Sequence, residues 1–269
     1  MTRLFIPAKA TDNTTLMNAD PEYIKRLRAL PEEEYRAKAL GDWSVFTGKF
    51  FTRWRDDVHV IFPFDIPIDW DKFLCVDYGF HIPYAALWFA RPPGTLSAFV
   101  YREHYGNGVD LKEQVYRAWQ EMQGTQEKLK AVILDPSMFA RVNFKGEHFR
   151  PMAYDWKDRF GRTSKVVAGN NERIPGWRLM RTMIDWKERP DGGVLIPPRL
   201  FVFSSCSNTC RTLPLLICDK QNPEDVDSDG EDHVGDALRY GLRHAFEGSG
   251  RSGMERRVYM SSEGLKVHS

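Results

Sequence analysis

Phe73-Leu-Cys-Val-Asp77-Tyr-Gly79 is the stretch that decides the fold. Four consecutive apolar residues with no polar alternation describe a strand buried on both faces, and the run ends in a carboxylate where the chain turns. The same design recurs at Ala131-Val-Ile-Leu-Asp135, which stops at Pro136. In open α/β sheets, ligands sit beyond the carboxyl ends of such strands. If the two runs are parallel neighbours, Asp77 and Asp135 stand at one sheet edge, a few ångströms apart. Aspartate also commonly ends a strand and caps the turn that follows, and Asp135 before Ser137 suits that role equally.

Outward from this pair, Ala85–Ala90 and Ser97–Tyr101 are further short apolar runs separated by Gly and Pro, hence strands joined by turns. Leu111, Val115, Trp119 and Met122 have helical spacing. Pro175 opens another helix, to Trp186. Val194–Ile196 and Leu200–Phe203, parted by Pro197-Pro198, read as a two-stranded element. The last helix, Asp232 to Phe246, carries an apolar stripe of Val234, Leu238, Gly241 or Leu242, and Ala245. Ahead of the strands, residues 11–42 read as helical and connective: one helix runs from Asp20-Pro21 through Leu30, and Pro31 opens a second that ends at Gly41. The order predicts an α/β protein, a mixed sheet with helices on its faces. Residues 1–60 are expected to be a helical linker, 61–246 the sheet domain, and 247–269 a flexible tail.

The chain has 269 residues, 42% hydrophobic and 13% aromatic, enough for a substantial core. Its 38 basic and 37 acidic residues leave a net charge of +1, which argues against a histone-like DNA binder. The local distribution is uneven. Arg141 to Arg189 holds twelve basic residues against six acidic ones, whereas Asp219 to Asp236 holds Lys220 alone against eight acids. A basic region suits a polyphosphate and an acidic cluster suits a divalent cation; both also suit ordinary solvated surfaces. Cys75, Cys206, Cys210 and Cys218 form no CxxC pair and have no histidine at zinc spacing, so reduced structural thiols are expected. Neither a signal peptide nor a membrane-spanning run is evident, and a cytoplasmic protein is expected.

The final helix opens Glu231-Asp-His-Val-Gly-Asp236-Ala-Leu-Arg-Tyr240. Asp232 and Asp236 are four apart and His233 and Asp236 three apart, so all three can share one side of the first turn. An N-cap with acids complementing the helix dipole explains one of these residues, but not the density of acids from Asp225 onward. Clustered carboxylates stay ionised together only beside a cation. Acids from two strand ends and a helix suit two Mg²⁺ or Mn²⁺ ions, which between them activate a water and stabilise a leaving oxygen in phosphodiester hydrolysis. No Ser-His-Asp or Cys-His grouping is evident.

With Asp77, Asp135 and the HxxD-ALRY helix in this order, the chain resembles the nuclease domain of large terminase subunits from tailed phages. The segments RLFIPAKATDN (from Arg3) and DPEYIKRLRALPEEEYRAKALGDWSVFTGKFF (from Asp20) are similar to the text that follows the motor domain in that family. The likeness runs from about Arg3 to Phe246. It implies an RNase H-like fold and a metal-dependent endonuclease cutting concatemeric double-stranded viral DNA during packaging. It further implies Asp77, Asp135 and Asp236 as metal-binding acids, His233 as an auxiliary catalytic residue, and Asp232 as a further ligand. Glu103, after the third strand, is a weaker candidate whose ordinary reading is a polar residue at a strand end. Expected partners are a small terminase subunit, the portal protein and an ATPase domain, with no membrane, in the cytoplasm of an infected bacterial host. The motor's phosphate loop GxxxxGK[ST] is absent, so no ATP hydrolysis is expected from this sequence and the motor lies elsewhere, on the same or a separate chain. Arg141, Lys145, Arg159, Arg162, Lys165 and Arg178 are the expected DNA contacts, carrying little sequence code.

Two alternatives stand beside this reading. Asp225-Val-Asp-Ser-Asp-Gly230 matches the first half of a calcium loop, with Asp236 at its bidentate position, although Asp232 falls where an apolar residue belongs. Another RNase H-like nuclease, such as a junction resolvase, would share the acids without needing the GDW segment.

Overall fold

The structure is a computed structural model describing residues 9–20, 22–28, 39–40, 48–144, 147–247, 257–261 and 264–268. Strands β1 (Val60–Ile61), β2 (Asp71–Asp77), β3 (Tyr84–Arg91), β4 (Ala98–Gly106), β5 (Leu129–Leu134), β8 (Lys165–Ala168) and β11 (Leu200–Phe203) build one seven-stranded sheet, ordered β1-β11-β4-β3-β2-β5-β8. Short hairpins are formed by β6 (Val142–Phe144) with β7 (Glu147–Phe149), and by β9 (Lys187–Glu188) with β10 (Val194–Ile196). Helices α1 (Thr14–Ala19), α2 (Tyr23–Arg28) and α3 (Asp56–His59) precede the sheet or lead into it. The others are α4 (Leu111–Gln120), α5 (Ala153–Phe160), α6 (Arg173–Ile184), α7 (Ser207–Thr212) and α8 (His233–Glu247).

The three strands read from the sequence form the antiparallel meander β2-β3-β4, and β5 and β8 add in parallel beside β2. Those five strands carry the order and directions of an RNase H-like sheet, to which β11 and β1 add in parallel at the β4 edge. The two-stranded element expected from 194–203 is not formed. Val194–Ile196 pairs with Lys187–Glu188, whereas Leu200–Phe203 enters the main sheet. The reason is composition: Leu-Phe-Val-Phe is apolar on both faces and is buried on both, as a strand inside a sheet must be.

α8 lies on the sheet and leans on α6. A Cβ at Gly241 would lie 2.7 Å from Phe89 and 2.9 Å from Cys75, so glycine there lets helix and sheet approach closely. Because side chains alternate along a strand, Asp77 shares the α8-facing side with Cys75 and Phe73. Leu74 and Val76, on the other side, are also fully buried, and α4 and α5 pack on one another. The apolar stripe read for α8 understates its burial: Arg239, Tyr240 and Arg243 are buried with it.

Phe50, Phe51 and Trp54 belong to the core, although they fall in the stretch expected to be linker. Of the two early helices, Tyr23–Arg28 is seen, while most of the second, from Pro31 to Gly41, lies outside the described residues. Within the expected flexible tail, β12 (Arg257–Ser261) and β13 (Gly264–His268) pair as an antiparallel hairpin. Among the described residues no helix is long and apolar enough to cross a membrane, and all four cysteines are free thiols.

Candidate active site at the sheet edge

The register of the two carboxylate-ending strands settles their relation. Val76 pairs with Leu134 in parallel, and the Asp135 N–H donates to the Val76 carbonyl at 2.9 Å, so one further step sets Asp77 beside Asp135. Neighbouring strands lie about 5 Å apart. The first turn of α8 approaches the same edge, where His233 Nδ1 lies 3.1 Å from the Asp77 carboxylate. Asp77, Asp135, His233 and Asp236 thus lie at one edge of the sheet. Asp232, buried beside Asp236, joins them.

The electrostatics follow from confinement. Burial, then repulsion by Asp236 and Asp135, pushes the Asp77 carboxyl up to about 7 against the His233 hydrogen bond. Burial and Asp236 push Asp232 up to about 6. The Asp77 hydrogen bond raises His233 above the ordinary imidazole range. Tyr240, buried and subject to the fields of Asp236, Asp135 and Asp77, has its phenol raised. A Cβ at Gly169, just past β8, would lie 2.6 Å from the Tyr240 Cβ and 2.7 Å from its ring, so glycine makes room for it.

Each acid has a protein partner. Asp135 accepts from the Ser137 N–H and hydroxyl, both at 2.8 Å, so the capping role open in the sequence is realised alongside its place at the edge. Asp236 is gripped on both oxygens: Arg239 Nε donates to Oδ1 at 3.0 Å and Arg173 Nη1 to Oδ2 at 3.2 Å. Arg173 also reaches Asp225 at 2.8 Å, the Val226 carbonyl at 3.1 Å and Asp232 at 3.6 Å. Among the described residues no three His, Cys, Asp or Glu side chains are gathered tightly enough, as they stand, to hold a metal ion. The donor set nonetheless fits a hard divalent cation. Carboxylates from three elements face one edge, and nearly buried Asp77, repelled by Asp236 and Asp135, is supported by the His233 imidazole.

Arg173 and Arg239 are not singled out by the sequence. Arg173 is one of many charges in the basic stretch, and Arg239 sits on a helix read by its apolar stripe. The available signal is the glycine at 176, where a Cβ would lie 2.3 Å from the Arg239 side chain.

The calcium-loop alternative is not supported. Asp225, its first position, is held by Arg173 and by Trp177 Nε1 at 2.8 Å, Asp236 lies between two guanidinium groups, and residues 216–224 supply no entering helix. Glu103 is a structural cap: its carboxylate accepts from the N–H groups of Asn208 and Thr209 at the start of α7, at 2.7 and 2.8 Å.

The expected DNA contacts do not form one surface. Arg178 is paired with Glu224 at 2.7 Å, and Arg159 lies over the Trp119 ring at 4.3 Å. Arg162 and Lys165 line a groove of about 760 Å³ with Lys130 and Lys157, at the start of β5 and β8, the end of the sheet opposite the carboxylates. Arg141 is exposed on the segment leading away from Asp135. The Lys145 position lies outside the described residues. Proximity along the chain is a poor guide because β8 carries the chain from the Lys165 end of the sheet toward the carboxylate end.

Fold and site together define an RNase H-like α/β protein with a carboxylate-rich sheet edge. Among solved structures it is similar to the large terminase of a thermophilic bacteriophage, at 19% identity and a TM-score of 0.53 over 86% of this chain and 52% of that one. It is also similar to the P22 large terminase nuclease domain, at 16% identity and a TM-score of 0.51 over 72% of this chain and 90% of that one. The chain thus spans about half the length of the thermophilic phage protein. These likenesses establish the shared fold. No protein-family model matches the chain, and no curated protein does.

Proposed function

We propose that this chain is a metal-dependent endonuclease acting on double-stranded DNA, the nuclease part of a phage large terminase. The observation that carries the reading is the meeting of Asp77, Asp135 and Asp236, from two strand ends and a helix, at one edge of an RNase H-like sheet. Asp77, Asp135 and Asp236, with Asp232, would hold two Mg²⁺ or Mn²⁺ ions. When bound, such ions activate water and stabilise the departing 3′ oxygen. His233 orients the Asp77 carboxylate and stabilises its ionised form. Burial of Asp77 keeps water from competing for its oxygens. The cations at Arg141, Arg162 and Lys165 would contact the phosphate backbone without reading bases.

In this reading the protein works in the cytoplasm of an infected bacterial host, with a small terminase subunit and a portal protein. An ATPase domain, on the same or a separate chain, supplies the motor. The large terminase of the thermophilic phage, about twice the matched length, has been solved in complex with ADP.

The test is plasmid nicking with Mg²⁺ or Mn²⁺, with and without chelator, for the parent and for Asp77→Asn, Asp135→Asn and Asp236→Asn. Each variant keeps shape and removes charge, and each is expected to lose cutting by about a thousandfold or more while circular dichroism shows the fold retained. Chelator-resistant cutting, or full activity in all three variants, would refute the proposal. Selective cutting of branched DNA would reassign the chain to a resolvase-like nuclease.

A further inference from the structure

Arg173 and Arg239 both grip Asp236, but their settings differ. Arg239 is fully buried, lies 4.6 Å over the Tyr240 ring and passes across Gly176, so it has nowhere to go. The Arg173 side chain retains 27% of its exposure, stands at the first position of α6 and has two further anchors, Asp225 and the Val226 carbonyl. It can release Asp236 and Asp232 and still keep two hydrogen-bonding partners. Asp236 and Asp232 both face this guanidinium, at 3.2 and 3.6 Å.

We infer that Arg173 is a resident counter-cation of the acidic edge: it neutralises Asp236 and Asp232 in the metal-free protein, yields them when a divalent cation enters, and so sets the metal concentration at which the site fills. The inference rests on the proposed metal site. A guanidinium and a divalent ion sharing one carboxylate repel each other at short range, even with the strong screening of a protein surface. Asp225 and Val226 act as the parking place, tying the acidic loop to α6 whether or not metal is bound.

Two measurements on the full chain test this. In the first, Mn²⁺ affinity is read by electron paramagnetic resonance for the parent, Arg173→Gln and Arg173→Lys, with circular dichroism as the check of fold. Removing the charge is expected to tighten Mn²⁺ binding about tenfold or more, while lysine, which keeps the charge, stays near the parent. Unchanged or weaker binding in Arg173→Gln overturns the inference, because a residue that merely holds the loop would lower affinity when lost. The second needs no folded Gln variant. The Nε–H resonance of Arg173 in the parent, assigned by its loss in Arg173→Lys, is expected to move as Mg²⁺ is added and to saturate with binding; a resonance that stays put at saturating Mg²⁺ overturns it. If the parent binds no divalent ion, the proposed function fails and takes this inference with it. If the parent binds and Arg173 does not respond, only the inference fails.

Discussion

The two ends of the central sheet treat charge in opposite ways. At the carboxyl ends of β2 and β5 the acids have found partners within the fold, Arg173 and Arg239 for Asp236 and His233 for Asp77, and elsewhere on the acidic segment Arg211 pairs with Glu231 at 2.6 Å and Arg178 with Glu224. At the other end, Lys130 pairs with Asp71, while Lys157, Arg162 and Lys165 have no carboxylate partner among the described residues. The basic stretch of the sequence is therefore two things. Its α6 half closes onto the acidic segment, and its α5–β8 half is left to face solvent. Net charge along a window cannot separate these, because pairing is decided by packing. An end whose charges are balanced and confined suits chemistry, whereas an end with surplus exposed cations suits an external polyanion.

The largest expected effect that would sharpen this contrast is a trade of function against stability at Asp77. Asp77→Asn is expected to lose cutting yet stabilise the metal-free protein at pH 8 by on the order of 2 kcal/mol, since it removes a buried charge repelled by two others. Urea denaturation of metal-free protein checks this, and equal or lower stability would argue against confinement as the source of the Asp77 shift.

pH gives the next largest effect. The Asp77 carboxyl lies at about 7 in the folded protein against about 4 for a free aspartate. A proton is thus held more tightly by the native state, so this group's contribution is complete below about pH 4 and is lost as pH rises through 7. His233, also raised, contributes below its ordinary pKa and loses that contribution as pH rises through its folded value, which has the same sign. The melting temperature of metal-free protein is expected to fall between about pH 5 and pH 8, and Mg²⁺ at pH 8 to restore it. A midpoint that rises over this range would break the account of the acidic end.

A smaller effect belongs to the basic end. Arg162→Glu with Lys165→Glu is expected to reduce the slope of log affinity for duplex DNA against log salt by about 2, one per lost phosphate contact, while the cutting rate at saturating DNA is kept. Loss of turnover at saturating DNA would mean that the two ends are not separate in function. The smallest effect is at Arg178: with its Glu224 partner exposed, Arg178→Ala is expected to change stability by less than about 0.5 kcal/mol in denaturant titrations and to leave the salt slope unaltered.

Residue order is enough to locate the strands at 73–77, 85–90 and 131–134 and the last helix, and to set Asp77 and Asp135 at strand ends and His233 and Asp236 on that helix. These are legible because apolar runs, helical spacing and a carboxylate at a strand end are local signals. Other features appear only once the chain is packed: Leu200–Phe203 joins the main sheet, Phe50 and Phe51 enter its core, and Glu103 caps α7. Packing also selects which cations the acids meet: Arg173 and Asp236 are 63 residues apart, and no periodicity along the chain encodes that ion pair. The physical reason is range. Burial patterns and helical spacing are set within a few residues, whereas charge pairing and the Glu103 cap depend on which faces the packed core brings together.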